Sequence, residues 1–317
     1  MNEKILNRIC NKAKIPDLLD TLVDKLTLPD LQSLLLEVYK RKTKKLTPKY
    51  LVDQYKQNRF VCPSKADVKK TLEFDTRAFS ILPNDFEILD LSPIAPLGCS
   101  SIIASVDQNN ALSTIRGSEV CSDTTNVLAL ESAQKRQVYL KENNHSTQRI
   151  KLSTSQKVVR CQVWKEASSF SNFRLFAMTT AGRDKGSFTF EIESLSEHLS
   201  YYITLLTQIA KIGIKAHDIS VHITVLDENR LDIVKKMLNK LQQENKEASL
   251  LLDQERESGR GYYKDVCFQI FAKNSSNENL MLVDGGFTDW TAKLLSNKKE
   301  RFLISGLGSE RLIACFK

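Results

Sequence analysis

The segment Gly306-Leu307-Gly308-Ser309-Glu310-Arg311-Leu312, near the end of the chain, holds residue types that grip an anion. Glycines let a ligand approach the backbone, a helix start favours negative charge, and the Arg311 guanidinium can take two phosphate oxygens at once. Preceded by the apolar run 301–305, it reads as strand, glycine turn, helix start and arginine, an order that suits a triphosphate. The same residues also suit a glycine turn with a surface pair between Glu310 and Arg311. No GxxxxGK[ST] and no GxGxxG loop is present, so a bound nucleotide is held otherwise than on the usual strand-to-helix phosphate loop. GxSxG and HExxH are also absent. His145, His198, His217 and His222 suit structural roles, and no metal site is expected.

The 317 residues are 41% hydrophobic and 26% charged, which excludes disordered and fibrous classes and allows two domains, or one with an appendage. No apolar run approaches the roughly 20 residues of a membrane span, and the first residues form no signal peptide. A cytoplasmic protein without membrane contact is expected. Seven scattered cysteines with no CxxC argue against a disulfide framework or a zinc site. The net charge of +8 is uneven: residues 1–80 hold 17 basic and 10 acidic side chains, and the remainder is nearly balanced. The densest part, Lys40, Arg41, Lys42, Lys44 and Lys45, suits contact with RNA phosphates and equally suits a solvated helix end.

Hydrophobic periodicity outlines the elements that must position these residues. Residues 1–82 read as a basic helical module, with an amphipathic pair over 18–26 and 31–39, a helix from Pro48 to Tyr55, and a capping box at Ser64 opening a helix toward Ile81. Residues 83–317 read as a mixed core domain. Strands are expected at 86–91, 156–164, 173–180, 221–226, 262–272, 280–283 and 301–305, and helices at 126–137, 190–210 and 229–243. The fold class is α+β, with a sheet expected to be antiparallel.

The glycine-arginine ending resembles motif 3 of class II aminoacyl-tRNA synthetases, and other segments fall into that family's order. Val159-Arg160-Cys161-Gln162, the loop 165–171 and the strand 172–180 resemble motif 2, with Gln162 in place of the acid. Residues 86–96, FEILDLSPIAP, loosely resemble motif 1. Val120-Cys121-Ser122-Asp123-Thr124-Thr125 stands where histidyl-tRNA synthetases carry an arginine-proline-acid-threonine segment. Ser258-Gly259-Arg260-Gly261-Tyr262-Tyr263 and Asp284-Gly285-Gly286-Phe287-Thr288-Asp289 resemble two further histidyl segments, with Ser258 and Phe287 where arginines would be.

The resemblance covers roughly residues 83–317 and implies an antiparallel sheet of six or seven strands flanked by helices, a homodimer through the motif 1 region, and an ATP site used with Mg2+. It assigns Arg160 to the α-phosphate and Arg311 to the adenine and γ-phosphate as the catalytic pair. Gln162, Phe176, Gly306, Gly308 and Glu310 complete the nucleotide site. Asp123, Thr125, Tyr262, Tyr263, Gly285, Gly286 and Asp289 form the substrate site. The implied activity is formation of an acyl-adenylate from a small carboxylate or amino acid other than histidine, for an acceptor other than a decoded tRNA. The alternative is a non-catalytic paralogue, either a regulatory subunit like the partner of ATP phosphoribosyltransferase or an RNA-binding protein using the basic module.

Overall fold

In the computed structural model, which describes residues 3–64, 66–162 and 171–316, five helices come first. These are α1 (Glu3–Ala13), α2 (Leu18–Asp20, continued by a π-helical turn over Thr21–Lys25), α3 (Leu28–Thr43), α4 (Pro48–Gln57) and α5 (Val68–Ser80). Thr27 and Thr47 cap α3 and α4 by accepting from the Asp30 and Tyr50 amides, and a proline follows each cap. The helix α1 is additional to those that periodicity outlined. Asp67, not Ser64, caps α5, accepting from the Lys69 and Lys70 amides, while the Ser64 hydroxyl donates to Glu310. No residue of α1 to α4 is buried, whereas α5 sends Phe74 and Ala78 into the main core.

The rest of the chain runs β1 (Glu87–Ile88), β2 (Ile94–Pro96), β3 (Leu112–Ser113), β4 (Ser118–Val120), α6 (Thr124–Glu142), β5 (Ile150–Val159) and β6 (Asn172–Arg183). It continues with α7 (Thr189–Gln208), β7 (His217–Val225), α8 (Leu231–Glu244), β8 (Ala248–Leu252), β9 (Lys264–Lys273), β10 (Asn279–Thr288), α9 (Trp290–Leu294), β11 (Glu300–Gly308) and α10 (Ser309–Cys315). One sheet has the order β1-β5-β6-β11-β10-β9-β7-β8. Its six inner strands are antiparallel, and β1 and β8 add in parallel at the two edges, which makes eight strands rather than six or seven. The strands β2, β4 and β3 form a small second sheet.

Strand alternation divides the interior into two layers. Even-numbered residues of β6 such as Phe176 and Met178 face α5, α7 and α8 in the larger core, while Ala177 and Ala181 face α6 and α9 in the smaller one. At its C-terminal half, α6 is fastened by Arg136, fully buried and paired with the equally buried Glu300 at 2.8 and 2.9 Å. The Gln148 and Ser146 carbonyls accept from Nη1 and Nη2. A pair this deep survives only because every polar atom has such a partner.

The strand expected at 156–164 begins six residues earlier, at Ile150. Its first half, Ile150-Lys151-Leu152-Ser153-Thr154-Ser155, looks polar in sequence, and three of its polar side chains are matched by distant partners in the fold. Lys151 pairs with Asp85 and Glu197, the Ser153 hydroxyl donates to the Ala177 carbonyl, and the Ser155 hydroxyl donates to Asp75. Residues 163 and 164 of the expected strand, and residues 165–170 of the expected loop, lie outside the described residues. The strand expected at 86–91 shortens to Glu87–Ile88, and the hairpin strand expected at 280–283 lengthens to Asn279–Thr288.

Candidate functional site

A cavity of about 920 Å³ opens on the α6 face of the sheet. Its walls are the facing ends of β5 and β6, the first turn of α6, the segment 104–110, the β10 and β11 strands and the turn at 259–263. Of the residues expected from sequence, Asp123, Thr125, Arg160, Gln162, Tyr262, Tyr263, Gly306, Gly308 and Arg311 line this one space.

Arg160 lies just past the end of β5. Its Nε donates to the Ser122 carbonyl at 2.9 Å, its Nη2 donates to Asp123 Oδ2 at 3.0 Å, and its guanidinium sits 5.1 Å from the Phe173 ring centre. Asp123 is at once the N-cap of α6, because its Oδ1 accepts from the Thr125 amide at 3.0 Å and the Thr125 hydroxyl at 2.8 Å. One carboxylate oxygen therefore starts the helix and the other orients the arginine. Across the cavity, Arg311 Nη1 donates to the Met281 carbonyl at 3.3 Å. A Cβ on Gly306 would come within 3.2 Å of Leu175, so a larger residue there would crowd the floor between the two arginines.

The deep wall carries a second carboxylate that sequence reading did not single out. Asp284 accepts from Arg256 Nη2 at 2.9 Å and keeps 38% of its side chain open to the cavity. Desolvation by the surrounding walls raises its carboxyl above the ordinary value, and the Arg256 guanidinium opposes that shift. Arg256 is buried, and its Nε donates to the Ser258 carbonyl at 2.8 Å. A guanidinium thus reaches this wall from two residues before Ser258. Tyr262 and Tyr263 meet edge to face at 4.8 Å, and burial pushes both phenols well above their usual range, so they act as neutral hydroxyls.

Other expected site residues stand elsewhere. Phe176 faces the opposite side of β6, stacked on Tyr201 in the core; the aromatic that reaches the cavity from this strand is Phe173. Gly285 and Gly286 have no side chain to offer, and their bareness serves packing: Cβ atoms there would lie 2.6 Å from Phe268 and from Tyr263. Glu310 turns away to accept from Ser64 Oγ at 2.8 Å, with Lys157 3.7 Å distant. Asp289 pairs with Lys293 at 3.0 Å and lines a separate cleft of about 180 Å³ behind Tyr262. Phe287 lies in the core against Phe188. Lys40, Arg41, Lys42, Lys44 and Lys45 are exposed around the end of α3, where Glu37 pairs with Lys40 and Arg41.

The near rim of the cavity depends on Glu119 of β4, which is 1% exposed. It accepts from the Gly98 amide, the Ser100 amide and hydroxyl, and Gln108 Nε2 at 3.0, 2.8, 2.6 and 2.8 Å, and so holds the segment that brings Ala104, Val106 and Asn110 to the cavity. Burial alone would raise its carboxyl, but these four hydrogen bonds outweigh burial and leave it below its ordinary value. All seven cysteines are free. Among the described residues no group of three or more His, Cys, Asp or Glu side chains is placed to hold a metal ion, and no helix is long and apolar enough to cross a membrane.

No protein-family profile and no curated protein sequence matches the chain. Solved structures do. The histidyl-tRNA synthetase of S. aureus superposes with a TM-score of 0.58 at 13% identity, covering 80% of this chain and 69% of that one. An ATP phosphoribosyltransferase regulatory subunit/histidyl-tRNA synthetase from Bacillus halodurans gives 0.54 at 10% identity, covering 78% and 79%. The RNA-binding domain of threonyl-tRNA synthetase from Cryptosporidium parvum gives 0.55 at 11% identity, covering 78% and 62%.

The depressed Glu119 carboxyl generates a pH prediction. Because the folded value lies below the unfolded value of about 4.3, its contribution is complete above about pH 5 and is lost as pH falls through the folded value. Glu119→Gln should lose about 1 to 3 kcal/mol at neutral pH in urea melts, and its stability should fall less steeply than that of the unaltered chain between about pH 5 and pH 3. Coincident pH profiles would remove Glu119 from this role. The eight-stranded, mostly antiparallel sheet, its flanking helices and these superpositions together show that the chain has the class II aminoacyl-tRNA synthetase-like fold.

Proposed function

We propose that the chain binds ATP in the cavity and activates a small carboxylate as its acyl-adenylate. The observation that carries this reading is the convergence of Arg160 and Arg311 on one cavity that also presents the Phe173 ring. Two guanidiniums suit the phosphates, an aromatic face suits a base, and about 920 Å³ holds a nucleotide with a small second substrate. In this reading a substrate carboxylate oxygen attacks the α-phosphorus, the bond to the β-phosphate oxygen breaks, and pyrophosphate leaves. Arg160 holds the α-phosphate and neutralises charge that grows there, while Arg311 holds the far end of the triphosphate. Gln162 offers the nucleotide a neutral amide, and Phe173 takes the place in the nucleotide site expected of Phe176. Asp123, Thr125, Asp284 and the two tyrosines offer partners for a substrate amine or hydroxyl. Mg2+ fits as an ion carried in on the phosphates, supplying further charge neutralisation, since such sites need only one or two protein carboxylates.

A non-catalytic reading has its own support. Arg160 is paired with Asp123, Phe287 is in the core, and Ser258 offers no guanidinium. Pyrophosphate exchange separates the two readings. Arg311→Ala should lower ATP-dependent exchange by about a hundredfold or more with the fold retained, and unchanged exchange would remove Arg311 from the reaction. The carboxylate that supports exchange would name the substrate.

Two partner proposals accompany this reading. A homodimer through the motif 1 region, residues 86–96, is supported by the exposed Ile88 and Ile94, and the exposed Leu97 and Ile102, the last 79% exposed, extend that apolar surface. Light scattering should give twice 36.0 kDa and should give the monomer mass for Ile102→Asp; a monomeric unaltered chain contradicts it. RNA contact through the module is supported by the five exposed cations beside the exposed Tyr39 and Tyr50. Replacing Lys40, Arg41 and Lys42 with glutamine should lower the salt slope of RNA binding by about two to three. An unaltered slope returns these cations to a solvated helix end.

A further inference from the structure

Arg59, between α4 and α5, carries a contact from the helical module to the cavity-lining Gln162. It lies two residues past the end of α4, with its guanidinium 4.4 Å from the ring centre of Phe60. Its Nη1 donates to the Gln162 carbonyl at 2.9 Å and to Ser171 Oγ at 2.7 Å, and its Nη2 donates to the Cys161 carbonyl. Cys161 and Gln162 leave β5, and Ser171 enters β6, so one side chain from the module ties both strands where they part. Asn172 Nδ2 adds a second tie by donating to the Cys62 carbonyl at 3.1 Å. Beneath the clamp the last backbone bonds among the described residues are Arg160 N to Ser171 O at 2.8 Å and Cys161 N to Asn110 O at 3.1 Å. The carbonyls of Cys161 and Gln162 lie beyond the paired ends of β5 and β6, and a planar guanidinium with several fixed donors suits two successive carbonyls and a hydroxyl as an ammonium does not.

We infer that Arg59 is a positioning residue for the nucleotide site: it fixes the strand end that carries Arg160 and Gln162, and thereby couples the end of α4 to the cavity. The inference rests on the nucleotide reading above. Its consequence is reciprocal, because a ligand that tightens the strand ends also tightens the seat of the module, and an RNA on the module acts back on nucleotide affinity by the same factor. Arg59 is exposed and outside the core, so its loss leaves the fold intact while loosening one strand end.

The test uses the full chain, with calorimetric titration by Mg-ATP and amide hydrogen exchange measured without nucleotide. Arg59→Met should leave the melting temperature unchanged, speed exchange at the Arg160 and Cys161 amides at least tenfold, and raise the Kd for Mg-ATP about tenfold. Arg59→Lys, which keeps the charge and loses the fork, should restore only part of the affinity. Unchanged exchange, or faster exchange with unchanged Mg-ATP affinity, overturns the inference while the nucleotide reading stands. An unaltered chain that binds no Mg-ATP overturns the nucleotide reading, and this inference falls with it.

Discussion

Helix α6 is fastened to the sheet at both ends by guanidinium-carboxylate pairs, and the cavity exists because of that. At one end Arg136 and Glu300 form a fully buried pair, and at the other Asp123 caps the helix and pairs with Arg160. The two pairs have different energetic characters. The buried one has no exchangeable partner, and breaking it would strand a charge in the core. The Asp123 pair is 28% and 24% exposed, so solvent weakens it to about 1 kcal/mol or less. It holds Arg160 in place, and in the nucleotide reading proposed above a phosphate oxygen would take the carboxylate's place on the guanidinium. The far end of α6 is thus the fixed one and the near end, at Asp123, the exchangeable one.

Two guanidiniums at the cavity are already paired with carboxylates. Arg160 faces Asp123, and Arg256 faces Asp284. In the nucleotide reading proposed above, a polyphosphate would meet guanidiniums whose carboxylates stand ready for a substrate amine or hydroxyl. The two tyrosines stay neutral and hydrogen-bonding at physiological pH, so they add donors and acceptors to the deep wall without adding charge. Arg256 supplies this wall with a guanidinium from beneath Ser258, whereas Phe287 lies on the other face of β10, in the core.

The parts of the fold legible in sequence were those whose chemistry is local. The glycine turn before Arg311, the long apolar periodicity of α7, the proline-started helices and the motif order of the α+β core all declare themselves within a few residues. What stayed hidden depends on distant partners. β5 looked polar, and its Lys151, Ser153 and Ser155 are matched in the fold by Asp85, Glu197, Ala177 and Asp75. Glu119, Arg256 and Asp284 carry no spacing signal, since each is defined by what reaches it from another element. Phe176 and Phe173 differ only in the face of β6 they occupy, and a motif match without strand parity cannot choose between them. Arg59 sits in a stretch with no motif, and its importance comes wholly from the strand ends it meets.

The proposed nucleotide site is the cavity that Arg160 and Arg311 share. Calorimetric titration of the purified chain with Mg-ATP, repeated with Arg160→Ala, tests that proposal. One saturable site per chain is expected in the unaltered protein, with affinity lowered at least tenfold in the variant. Absence of binding to either protein, or equal binding to both, would contradict it.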